Sequence, residues 1–166
     1  MCNPRASWCV SVLSGLLAAN CCRAEHFAID LEVKSSKETK IAHAEVADLA
    51  AKPKPRLVLA GEVGKPVRVH WTIMSTAKTG ETKNVTVHFF AVRQAQVGQA
   101  AIPKLDKDVA AESALVMDFQ PKDKARGEIE FQIDKPGAYL VRLETMGAAN
   151  ETDNHEHFAA LDLLIK

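Results

Sequence analysis

From Phe27 onward the chain is organised by alternation. In HFAIDLEVK, Phe27, Ile29, Leu31 and Val33 share one parity, and His26, Asp30, Glu32 and Lys34 share the other. Successive side chains of a β-strand point to opposite faces, so this pattern predicts a strand with one buried face. KPVRVHWTIMS repeats it with Val67, Val69, Trp71 and Ile73. NVTVHFFAV sets Val85, Val87 and Phe89 on one face, and SALVMDF sets Leu115, Met117 and Phe119. GEIEFQID contributes Ile129, Phe131 and Ile133, and AYLVRLET contributes Tyr139, Val141 and Leu143. HFAALDLLIK closes the chain, and RLVLAG adds a further short strand.

Turn-forming stretches separate these segments: AGEVGKP, TAKTGETKN, QPKDKARG and DKPG. A single sheet would leave one apolar face in water, whereas two sheets packed face to face bury both. The expected fold class is therefore all-β, a sandwich of seven to eight antiparallel strands. KETKIAHAEVADLAAK, rich in Ala, Lys and Glu, has room for a helical turn or two. The prolines of AKPKPR stop it, so residues 35–56 read as a flexible surface excursion. Residues 93–112 read as a second long irregular stretch.

The first 24 residues have a different character. Arg5 precedes an apolar, small-residue run from Trp8 to Ala19, and CCRA places Cys22 and Ala24 three and one positions before Glu25. This is the layout of a secretory signal peptide, residues 1–24, followed by one domain over 25–166. The apolar run is shorter than the roughly 20 residues that span a bilayer. All four cysteines, Cys2, Cys9, Cys21 and Cys22, lie in the leader. Cleavage after Ala24 leaves no disulfide, thiolate zinc site or thiol nucleophile. Lipidation at Cys21 or Cys22 is a minor alternative, disfavoured by the bulk of Asn20. The processed chain carries 19 basic against 21 acidic residues. It has no basic surplus for nucleic acid or anionic membranes, and no segment left that could span a membrane.

IDKPGAYLVRLET carries a resemblance. A strand ends at Ile133, turns through Asp134, Lys135, Pro136 and Gly137, and restarts at Tyr139. This is similar to the crossing between late strands of immunoglobulin-like domains, with Tyr139 in the place of the corner tyrosine. In the absence of a cysteine pair, the chain resembles the cysteine-free immunoglobulin-like or fibronectin-like domains of secreted bacterial proteins. It also looks similar over its last 100 or so residues to small periplasmic PGxY domains, some associated with copper handling or oxidase maturation. The resemblance implies a core role for Trp71 and a hydroxyl-to-backbone bond for Tyr139. It does not fix function.

Two stretches carry candidate chemistry. In DNHEHF, His155 and His157 lie two apart and can face one way along a strand. Such a pair, with Asp153 or Glu151, suits copper or zinc, although structural zinc usually takes four ligands. The same parity puts His157 in line with Ala159, Leu161, Leu163 and Ile165, so a half-buried histidine without metal is the competing reading. In HFFAV, Phe90 and Val92 face away from Phe89. They form either an exposed apolar binding surface or a patch covered by residues 93–112. Asn84 and Asn150 open N-x-T glycosylation patterns. No G-x-S-x-G turn or phosphate-binding glycine loop occurs, and the paired carboxylates Glu128 and Glu130 read as the solvated face of a strand, so an enzyme is not expected.

These residues point to an exported, non-catalytic binding or accessory module with a protein partner and no cofactor. A copper or zinc carrier using His155 and His157, and a structural cell-envelope domain joined through edge strands, are the alternatives. Expression with the native leader in a secreting host is expected to release a chain beginning at Glu25, read by intact mass and N-terminal sequencing. A secreted product that still begins at Met1 would overturn the leader assignment.

Overall fold

The computed structural model describes residues 27–44, 55–147 and 157–166. Residues 1–26, including the expected leader, lie outside this set, as do 45–54 and 148–156. Nine strands follow in chain order: β1 Phe27–Lys34, β2 Thr39–His43, β3 Val58–Gly61, β4 Pro66–Ser75, β5 Thr82–Gln94, β6 Val109–Phe119, β7 Lys124–Gln132, β8 Gly137–Met146 and β9 His157–Ile165. There is no helix among the described residues, and so none long and apolar enough to cross a membrane.

The strands form two sheets, ordered β2-β1-β4-β7 and β3-β9-β8-β5-β6. The alternation of each segment decides which face turns inward. Ile29, Leu31 and Val33 of β1 and Val67, Val69 and Ile73 of β4 are buried on one side. Val85, Val87 and Phe89 of β5, Val141 and Leu143 of β8, and Leu161, Leu163 and Ile165 of β9 meet them from the other. Rings bridge the layers: Phe27 and Phe119 meet edge to face with centroids 5.0 Å apart, and Phe89 lies tilted 6.0 Å from Phe131. The result is an all-β sandwich consistent with an immunoglobulin-like arrangement.

Three features depart from the expected pattern. There are nine strands, not seven or eight, and β3 pairs with β9 in parallel, Val58 opposite Asp162 through Gly61 opposite Ile165. The excursion over 35–56 contains β2, which pairs antiparallel with β1 from Lys34↔Thr39 to Asp30↔His43. Helix-favouring composition lost there to sheet pairing, because the exposed edge of β1 offers backbone partners that an isolated short helix lacks. Ser35 fixes the hairpin: its Oγ accepts from the N–H groups of Lys37 and Glu38 and donates to the carbonyl of Ala60 in β3 at 2.6 Å. The Glu38 carboxylate accepts from the Ala60 N–H at 2.6 Å, and this bond holds its pKa below the ordinary range. Lys40 donates through Nζ to the carbonyl of Val58. The third departure concerns residues 93–112, whose ends belong to β5 and β6.

The corner from β7 to β8 turns on Gly137, whose φ of 147° is open to glycine and strained for other residues. Pro136 just before it offers its carbonyl to Arg93 at 3.2 Å. Two residues after Gly137, near the start of β8, Tyr139 is buried, and its hydroxyl donates to the carbonyl of Lys135 at 2.9 Å. Burial pushes the Tyr139 hydroxyl above its ordinary pKa of 10.0; Arg93 opposes that shift, and Asp108 and Asp134 add to it. The folded state therefore holds its proton more tightly than the unfolded chain does. This contributes stability below pH of about 10 that is lost as pH rises through the raised value. Tyr139 is the chain's one tyrosine, so absorbance titration reads it alone. Its midpoint is expected above 10, and Tyr139→Phe is expected to cost about 0.5–1.5 kcal/mol at neutral pH, the usual net worth of one hydrogen bond.

Candidate ligand-binding cleft

The two sheets end on the same side of the sandwich with strands that have no outer neighbour among the described residues, β6 in one and β7 in the other. Between them the layers part. A cleft of about 280 Å³ is lined by Trp71 of β4, Val87 and Phe89 of β5, Leu115 and Met117 of β6, and Ile129 of β7, among others. Every strand beneath it aims its inward parity there, so the lining is mostly apolar. Ser113, Arg126 and Glu128 also border it.

Trp71 forms the floor. It pairs directly with Gly127 in the β4–β7 ladder. A Cβ on Gly127 would fall 2.2 Å from Cζ2 and 2.4 Å from Cε2 of the indole. The absence of a side chain on β7 is thus what lets the ring lie across that strand. Trp71 remains 7% exposed, whereas its inward neighbours Val69 and Ile73 are fully buried.

The two edges differ in chemistry. On β7 the outward parity is charged from Lys124 to Glu130, with exposed Lys124, Arg126, Glu128 and Glu130. Arg68 meets Glu130 at 2.6 Å, and His70 lies 3.8 Å from Glu128. Charge along an edge discourages pairing with another chain. β6 carries no charge from Ser113 to Met117, and Leu115 and Val116 are 37% and 64% exposed. Its pairing with β5 is regular from Val85↔Met117 to Ala91↔Ala111, with register shifts just beyond each end. Glu112 and Asp118 flank the uncharged run. Glu112 Oε1 is hydrogen-bonded to His88 Nε2 at 3.0 Å, and Asp118 accepts from the Asn84 N–H at 2.8 Å. Asn84 itself is exposed, with φ 55°.

The opposite face of the β5–β8–β9 layer is closed. Phe90 and Val92 are buried at 1% and 0% and pack with Leu140 against Leu105, Val109 and Ala160. The exposed binding surface expected at Phe90 and Val92 is therefore absent, because residues 95–108 fold across it. Asp162, fully buried on β9, anchors this cover. It accepts from Arg56 Nε at 2.7 Å, Gln94 Nε2 at 3.0 Å and the Gly98 N–H at 2.5 Å. Further along the same face, Glu144 accepts from Arg142 Nε at 2.5 Å and faces His88 Nδ1 at 3.2 Å, and the Arg142 guanidinium lies 3.8 Å over the Phe158 ring. Sequence reasoning did not single out Asp162; the available signal was one carboxylate inside the apolar run AALDLLI.

Of the expected metal ligands, Glu151, Asp153 and His155 lie outside the described residues, as does Asn150. His157 opens β9 half-buried, its ring 6.1 Å from that of Phe27 in an edge-to-face arrangement. No group of three or more His, Cys, Asp or Glu side chains suited to a metal ion occurs among the described residues.

No protein-family model matches the chain, and no curated protein matches it. Among solved structures it is similar to the C-terminal domain of Wzt, at 10% identity and TM-score 0.45 over 87% of this chain and 80% of that one. The soluble domain of PmoD from Methylocystis sp. (Rockwell) gives 9% identity and TM-score 0.43 over 83% of this chain and 90% of that one. The CARDB domain of a Pyrococcus furiosus protein, solved with di-metal ions, gives 10% identity and TM-score 0.42 over 85% and 94%. At these identities and scores the likeness does not extend to function.

Gly127→Ala forces the indole of Trp71 off β7. It is expected to cost about 1–3 kcal/mol, the usual range for overpacking, in urea unfolding followed by tryptophan emission. The emission of the folded variant is expected to move to longer wavelength as the ring turns toward water. Unchanged stability and emission would show that the ring has another resting place.

Proposed function

We propose that this chain is an exported, non-catalytic binding module that takes an extended segment of a partner protein as an added strand along β6. The observation that carries this reading is the regular, uncharged and unpaired edge from Ser113 to Met117. In an antiparallel sheet every second residue of an edge strand turns its N–H and C=O away from its one neighbour. Those groups are a template for another strand, and strand addition is a common mode of peptide recognition. Between Ser113 and Met117 the edge carries no charge and no register shift, the devices that commonly guard an edge. Lysine and proline are absent from Ala111–Met117, and the charged β7 shows that the same fold can guard an edge. A binding role also fits the absence of nucleophile and phosphate-binding motifs in the sequence.

Peptides selected from a random display library against the purified protein are expected to slow amide hydrogen exchange at Ala111–Met117. Val116→Lys, which places a charge on the exposed face of the edge, is expected to weaken their binding at least tenfold. Its thermal midpoint should stay close to that of the parent, as is usual for an exposed surface position. Selected peptides that protect other strands, or that bind Val116→Lys unchanged, would overturn the assignment.

A further inference from the structure

We infer that the partner segment recognised at β6 carries bulky apolar side chains at alternate positions, which enter the cleft between the sheets, and cationic side chains at its two ends. This rests on the strand-addition reading and gives it a chemistry. A strand added beside β6 lies about 4.8 Å from it, and its side chains continue the two faces of the sheet. Residues opposite Ser113, Leu115 and Met117 therefore point inward. The space they enter is the cleft of about 280 Å³ over Trp71 and Ile129. Among the described residues neither sheet has a strand there, so the added strand supplies the missing part of the core. Half-exposed Leu115 would gain apolar neighbours on its open side.

The other parity of the added strand lies beside Glu112, Ala114, Val116 and Asp118. The two carboxylates stand six residues apart with small or apolar residues between them. Opposite charges facing each other across a strand pair are favourable, and like charges are not. This selects Lys or Arg at the ends of the partner segment. It also argues against a second copy of the chain as the occupant. Antiparallel self-pairing centred on Leu115 would set Glu112 against Asp118 in both halves of the contact, so the partner is a different polypeptide.

The probe is the peptide Lys-Leu-Thr-Leu-Thr-Leu-Lys, labelled at one end. Its side-chain order reads the same in both directions and serves either strand orientation. The control, Lys-Leu-Leu-Leu-Thr-Thr-Lys, has the same composition without alternation. Fluorescence anisotropy measures binding, and in the chain beginning at Glu25, which lacks Trp8, emission from Trp71 reports filling of the cleft. The alternating peptide is expected to bind at least tenfold more tightly than the control and to shift Trp71 emission to shorter wavelength. Ser113→Trp, an exposed substitution that occupies the cleft in advance, is expected to reduce alternating-peptide binding at least tenfold. Equal binding of both peptides through β6, with Trp71 emission unchanged, would overturn the inference and leave strand addition standing. Absence of binding by either peptide, or by any selected peptide at β6, would overturn both. A concentration-dependent dimer in light scattering that Val116→Lys dissociates would reassign the edge to self-association.

Discussion

Two sheets must bury one face of each strand, and among the described residues they do so with one side of the sandwich left without a closing strand. That constraint arranges everything else. At the side held by β1, β2, β3 and β9, hydrogen bonds from Ser35, Glu38 and Lys40 stitch the first hairpin to β3, so the layers stay in contact. At the other side β6 and β7 face each other across a gap. The inward residues there, Leu115, Met117 and Ile129, are less covered than their counterparts in the middle of the core.

The outer face of the five-stranded sheet shows how such a gap is normally avoided. Phe90 and Val92 point away from the core, and the chain covers them with its own segment, pinned by buried Asp162. A carboxylate without water is costly unless its oxygens are bonded and its charge is met. Arg56, Gln94 and Gly98 do both, and in doing so fix the path of the covering segment. No comparable polar clamp among the described residues draws chain across Leu115 and Val116. The contrast between a clamped cover on one face and an open edge on the other is what sets β6 apart from the other strands.

Much of the strand pattern was legible in the residues. The inward parity of β1, β4, β5, β8 and β9 follows directly from alternation. His157 shares the inward parity of Ala159 and Leu161, as the register indicated. β2 was not legible, because TKIAH in an Ala- and Lys-rich setting has no strong period and becomes a strand only beside β1. The parallel pairing of β3 with β9 was equally hidden, since it joins residues about a hundred positions apart.

What the sequence determined by itself is the side of each strand on which a residue lies, because parity is set by local backbone geometry. Trp71 had to face inward and Tyr139 had to stand at a strand start after its turn. What only the tertiary structure decided is which strands are edges and which faces are covered. SALVM reads as an ordinary half-buried strand until β6 is placed at the end of its sheet, and HFFAV reads as an open patch until residues 95–108 cross it. Both outcomes depend on contacts between segments far apart in the chain, and such contacts leave no period in the residues that make them.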